Sequence, residues 1–174
     1  MSGTGGGLDP STIKPPDAVA ALRSFPRRWR SALAVVADDP GADELVRRRG
    51  DPSSWSALEH AWYVAELLSR TGSQVDRIRS GDRPSLPDGD PQAWVDDGGY
   101  GDGDLEAALA RIGEASPALA TTLEALAPDD WLRTGEHDGA EVTLLALVQV
   151  AVAGVAGHLR GAEQALRAAK GRSG

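Results

Sequence analysis

Between Val142 and His158 the chain carries no charged side chain, and apolar residues recur on every side of a helical wheel. A helix apolar almost all round has to be surrounded by other helices. Three further segments repeat apolar residues every three or four positions. They are Val19, Leu22, Phe25, Trp29, Leu33 and Val36; then Trp55, Leu58, Trp62, Ala65, Leu68, Val75 and Ile78; then Leu105, Leu109, Ile112, Leu119 and Leu123. Each set forms one stripe that must face a core. No strand signal runs longer than a few residues, so the expected fold is all-α, a four-helix bundle with the charge-free helix as its most buried member.

The punctuation sets the boundaries. Pro15-Pro16-Asp17 starts the first helix with Asp17 as a cap, and Pro26 inside it predicts a kink or restart. Asp38-Asp-Pro-Gly41 breaks the chain, and a polar segment ends in Gly50-Asp-Pro-Ser-Ser54, where Ser54, or Ser53 with Ser56, starts a helix reaching about Ser80. Gly81 to Gly103, with Pro84, Pro87, Pro91 and many glycines, reads as a long irregular loop across one end of the bundle, carrying Trp94 and Tyr100. Asp104 caps a third helix to about Leu126, with Ser116-Pro117 as a further kink site. Trp131 follows in a turn that packs back on the core, and Arg133 to Gly139 reads as a loop or tight hairpin. The fourth helix runs from near Thr143 to about Lys170. A chain of 174 residues builds one core. The expected domain is 15–171, between a disordered tail at 1–14 and a short tail at 172–174.

Composition removes whole classes of function. The chain has no cysteine, which excludes disulfides, iron–sulfur clusters, zinc thiolate sites and thiol nucleophiles. A metal would need His, Asp, Glu or backbone oxygen. The formal net charge is −8, and basic groups such as Arg27-Arg28 and Arg47-Arg48-Arg49 are short and scattered, which argues against nucleic acid as partner. The charge-free run falls short of the roughly 20 apolar residues of a spanning helix, and the N-terminus, with no basic region followed by an apolar one, does not read as a signal peptide. A cytoplasmic protein without a membrane partner is expected. No phosphate loop, nucleophile elbow or His-Glu-x-x-His helix occurs.

Four segments together carry a family resemblance: Ala21-Leu-Arg-Ser-Phe-Pro-Arg-Arg-Trp-Arg30, Trp55-Ser-Ala-Leu-Glu59, Asp129-Asp-Trp-Leu-Arg-Thr-Gly135 and His158-Leu159. In combination they resemble the actinobacterial members of the DinB-like superfamily over nearly the whole chain after residue 17. The resemblance implies a four-helix bundle of the up-down-down-up type. It also implies an interior divalent metal site with one histidine from the second helix and two from the fourth, and in some members a thiol-dependent S-transferase or isomerase activity. Carried over residue by residue, the second-helix ligand falls on Tyr63, with His60 one turn earlier. The fourth-helix positions fall on Gly154 and on Gly157-His158, so His158 alone matches.

Two ligands four apart on a helix share one face and can grip one metal, which glycine cannot do. Tyrosine is a poor ligand for Zn or Ni at neutral pH. Glu59, Glu66 and Glu163 are the carboxylates that could complete a set. The plainer expectation is that His158 bonds to Tyr63 or His60, that His60 is partly exposed at the helix entrance, and that His137 is solvated in its loop. Gly154, Gly157 and Gly161 each cost a helix roughly 1 kcal/mol, which close helix packing or a cavity beside His158, Tyr63 and Trp62 would explain; both readings stand open.

The expected function is that of a DinB-like domain with a decayed metal site, non-catalytic or binding a small apolar or thiol-containing molecule. Its interior pocket would be lined by Tyr63, His158, Trp62, Gly154, Gly157 and Trp94, with Trp94 as a lid. No cofactor is expected and no catalytic residue is assigned. One alternative is a metal-dependent thiol S-transferase or isomerase holding Zn or Ni through His60, His158 and a carboxylate. Another is an interaction module that dimerises through its glycine-rich helix faces, the chain being a monomer or a homodimer.

Overall fold

The computed structural model describes residues 7–34, 41–87 and 89–171. Four long helices form the bundle: α1 (Pro15–Ala34), α3 (Ala57–Ser80), α5 (Leu105–Glu124) and α6 (Leu144–Gly171). Helix α1 packs on α5 and α6, and α3 packs on the same two, so α1 lies diagonally across from α3. The stripes read from the sequence fill the centre: Leu22, Phe25, Trp29 and Leu33 from α1, Leu58, Leu68, Val75 and Ile78 from α3, and Ile112, Leu119 and Leu123 from α5 are all buried. Val36 and the break at 38–40 lie outside the described residues.

Local chemistry fixes the helix ends. Ser56 caps α3, its hydroxyl accepting from the Glu59 amide while the Glu59 carboxylate accepts from the Ser56 amide, a reciprocal capping box. The start thus falls two residues beyond Ser54, and Trp55 stands outside the helix. Asp104 caps α5 through the Ala107 amide, and Thr143 does the same for α6 through Ala146.

Pro26 does not end α1. It has no N–H to donate to the Leu22 carbonyl one turn back, and the buried Ser116 hydroxyl of α5 donates to that carbonyl instead, at 2.6 Å. The prolyl gap in one helix is thereby closed by its neighbour.

Several expectations are corrected. Residues 81–103 are not structureless: α4 (Pro91–Asp97) forms there, with Asp90 as N-cap and Pro91 in its first turn, where a missing N–H costs nothing. Leu86 is buried, and its amide and the Pro84 carbonyl pair with Glu136. A short helix, α2 (Ala42–Arg47), interrupts the polar segment before α3. The hairpin is real, β1 (Thr134–His137) pairing antiparallel with β2 (Ala140–Thr143), and Asp138-Gly139 turns it with both residues at positive φ, which is the tight-turn geometry that pair favours. Of the expected tail, residues 1–6 and 172–174 lie outside the described residues, whereas Pro10–Thr12 form a 3-10 turn and Ile13 is buried against the core. Helix α6 is not covered all round: Val150 is 63% exposed, because only α1 and α3 flank it as bundle neighbours. It is the one helix among the described residues long and apolar enough by composition to cross a bilayer, and it is used here as a bundle helix.

Candidate functional site

Helices α3 and α6 run side by side and bring His60 and His158 together. Their Nδ1 atoms are 2.9 Å apart. At that distance one ring donates its Nδ1–H and the other, protonated on Nε2, accepts. Burial pushes the His60 pKa down to about 4, helped by the neighbouring His158 and opposed by Glu59. Burial likewise pushes His158 down to about 4. Both rings are therefore neutral at pH 7.

Aromatic rings enclose the pair. Trp55, on the extended segment before the α3 cap, stacks on His158 with centroids 5.4 Å apart and planes 17° apart, and it also meets His60 and Tyr63. Its indole N–H donates to Gln92 at the start of α4. Tyr63 meets His158 ring to ring at 4.5 Å, while the hydrogen bond of His158 goes to His60. Sequence reasoning misses Trp55 as a site residue because its spacing places the ring in the helix stripe. Its position immediately before Ser56 is the available signal.

The three α6 glycines part company. A Cβ on Gly161 would stand 2.6 Å from His60 Cε1, so this glycine admits the His60 ring. A Cβ on Gly154 would make an ordinary 3.5 Å contact with Leu67, and one on Gly157 would meet nothing within 4 Å. Gly154 thus lies against the neighbouring helix, whereas Gly157 borders open space. The outer side of His60 borders a groove of about 550 Å³ with Gly50, Trp55 and Gly161, which leaves the ring half-buried.

The carboxylates that could join the histidines are engaged or turned elsewhere. Glu59 is buried, and although burial would raise its carboxyl, hydrogen bonds from Arg49 and from the Ser56 amide hold it below the ordinary value. Glu66 pairs with Arg111 at 2.7 Å. Glu163 lies in a groove with Arg27 and Arg160, between α1 and α6. Among the described residues no three of His, Asp and Glu gather around one point. The His60–His158 spacing is also below the roughly 3.3 Å that tetrahedral Zn–N bonds of about 2.0–2.1 Å imply. His137 sits in the hairpin 3.8 Å from Asp138, away from the pair.

Trp94, on α4, divides this cluster from a cavity. Its ring stacks near Tyr63 at 6.0 Å and carries the Arg70 guanidinium 3.8 Å from its centroid. Beyond it lies a cavity of about 520 Å³ lined by Trp62, Arg70, Trp94, Tyr100 and Arg111, with the carboxylates of Glu66 and Asp97 also in its wall. Tyr100 stacks on Trp62 at 6.2 Å. The two loop aromatics thus pair with consecutive α3 residues, Trp94 with Tyr63 and Tyr100 with Trp62. The Trp62 indole N–H and the Arg70 Nε–H are buried without an acceptor among the described residues. Trp62 and Trp94 border this cavity, and Tyr63 and His158 lie in the packed cluster behind Trp94.

A family model described as DinB superfamily matches residues 24–161. Among solved structures the chain is similar to YfiT from Bacillus subtilis, described as a probable metal-dependent hydrolase with an unusual four-helix bundle topology. The TM-score is 0.79 at 15% sequence identity, covering 90% of this chain and 87% of that one. At that identity the likeness speaks for the fold. No curated protein matches the chain.

Proposed function

The chain belongs to the DinB superfamily, and from that membership we propose a bundle that has exchanged its metal site for a neutral histidine pair and binds a small planar molecule in the adjoining aromatic cavity. The observation that carries this reading is the cavity's lining of three aromatic rings, Trp62, Trp94 and Tyr100, with the Arg70 guanidinium over the Trp94 ring. A ligand carboxylate would pair with the Arg70 guanidinium, and the rings of Trp62, Trp94 and Tyr100 would hold its flat apolar part.

The loss of the metal is supported by the donor chemistry. Tyr63 and Gly154 stand at ligand positions implied by the family resemblance, and His60 and His158 use their facing nitrogens on each other. The pair then has a structural role, filling the space behind Tyr63, on which Trp94 stacks.

Titration with benzoate, followed by tryptophan fluorescence, tests the reading. Saturable quenching that disappears in Trp94→Ala is expected, with zinc or nickel leaving the melting temperature unchanged, since a metal that binds the native state must raise it. The rival is a metal-dependent enzyme, a reading favoured by the description of YfiT as a probable metal-dependent hydrolase. One equivalent of zinc bound through His60 and His158, with a raised melting temperature, would favour that rival.

A further inference from the structure

Although the chain is acidic overall, its arginines are not evenly neutralised. Arg23 pairs with Glu124, Arg30 with Glu106, Arg47 with Asp43, Arg49 with Glu59 and Arg111 with Glu66. Arg27 and Arg28 on α1 and Arg160 and Arg167 on α6 have no carboxylate within ion-pair distance among the described residues; Arg28 only overhangs the Phe25 ring at 5.5 Å. These four side chains, from the first and last helices of the bundle, line one groove with Lys170. The lone carboxylate in the lining is Glu163.

Gathering four arginines without paired carboxylates destabilises a fold by repulsion, and a chain of net charge −8 has carboxylates to spare elsewhere. The groove holds about 520 Å³, enough for a small molecule, and its floor is apolar, with Leu159 and Leu166 both buried. Guanidinium groups match phosphate oxygens with paired, charge-assisted hydrogen bonds, and arginine is the preferred residue for such recognition.

We propose that the α1–α6 groove is a second ligand site, taking a small phosphate-bearing molecule of at least two negative charges between Arg27 and Arg28 on one side and Arg160 and Arg167 on the other. It lies on the α1 side of α6, away from the α3 face that carries the histidine pair, so it stands independently of the aromatic cavity. Glu163 weakens it for anions and sets a limit on the charge the groove accepts.

Calorimetric titration of the full chain with inorganic pyrophosphate at low ionic strength tests the site. Saturable binding of one equivalent is expected, weakening as salt screens it. The double variant Arg160→Gln/Arg167→Gln should bind at least about tenfold more weakly, with its melting temperature preserved because both side chains are exposed. Glu163→Gln should bind more tightly than the parent. No saturable binding, or equal affinity in the double variant, would overturn the proposal. So would sedimentation with phosphatidylglycerol vesicles in the absence of pyrophosphate binding, which would make the groove a membrane-facing surface.

Discussion

His60 and His158, 98 residues apart in sequence, face each other through their Nδ1 atoms at 2.9 Å. One N–H···N bond satisfies both atoms while at least one ring is neutral, and protonating both sets two N–H groups head to head. The pair therefore links the fold to pH.

That linkage has a definite sign. Both folded pKa values lie at about 4, below the roughly 6.5 of an unfolded histidine. Between those values the unfolded chain binds more protons than the native one. The pair's contribution is thus complete above about pH 6.5 and is lost as pH falls through the window to about 4. Urea midpoints from pH 7 to 4.5 should fall more steeply for the parent than for His60→Gln/His158→Gln. Parallel pH profiles would mean the rings titrate normally.

The α6 glycines give opposite outcomes under the same substitution. Gly157→Ala adds a methyl where nothing lies within 4 Å, so the gain in helix propensity, about 1 kcal/mol, should appear as added stability. Gly161→Ala drives a methyl into the His60 ring, which Trp55 and His158 prevent from retreating. It should lower stability by about 1–3 kcal/mol and disrupt the pair. Thermal melts of the two variants side by side decide; equal shifts would contradict the packing described.

Ser116 and Pro26 should be coupled. Ser116→Ala removes the donor to the Leu22 carbonyl and should cost about 1–3 kcal/mol. In a Pro26→Ala background the new amide can serve that carbonyl within α1, and the cost of Ser116→Ala should shrink to under about 1 kcal/mol. A double-mutant cycle of unfolding free energies measures the coupling. Strict additivity would show that the hydroxyl is unrelated to the prolyl gap.

The bundle is legible in the sequence because its signal is periodic and repeated: the α1, α3 and α5 stripes each predict buried residues that the fold buries. Capping residues mark the starts of α5 and α6 almost to the residue. Prolines mislead in both directions. Pro26 reads as a breaker, yet a hydroxyl from α5, distant in sequence, satisfies the carbonyl it frees. Pro91 reads as loop, yet with Asp90 before it the same residue starts α4. The site is less legible still. Helical spacing shows which face His60, Tyr63 and His158 occupy, but the contact between His60 and His158 depends on the offset between α3 and α6, which no local pattern encodes. Trp55 reads as helix although it stands just outside one, and Gly161, the glycine that matters, looks in sequence like Gly154 and Gly157.

The most direct measurement of the central claim is imidazole nitrogen NMR on uniformly ¹⁵N-labelled protein at pH 7, with and without added zinc. Two buried, neutral rings are predicted, one protonated on Nδ1 and one on Nε2, with shifts that zinc leaves unchanged. Two rings of the same tautomer, or nitrogen resonances that move to metal-bound positions on addition of one equivalent of zinc, would contradict it.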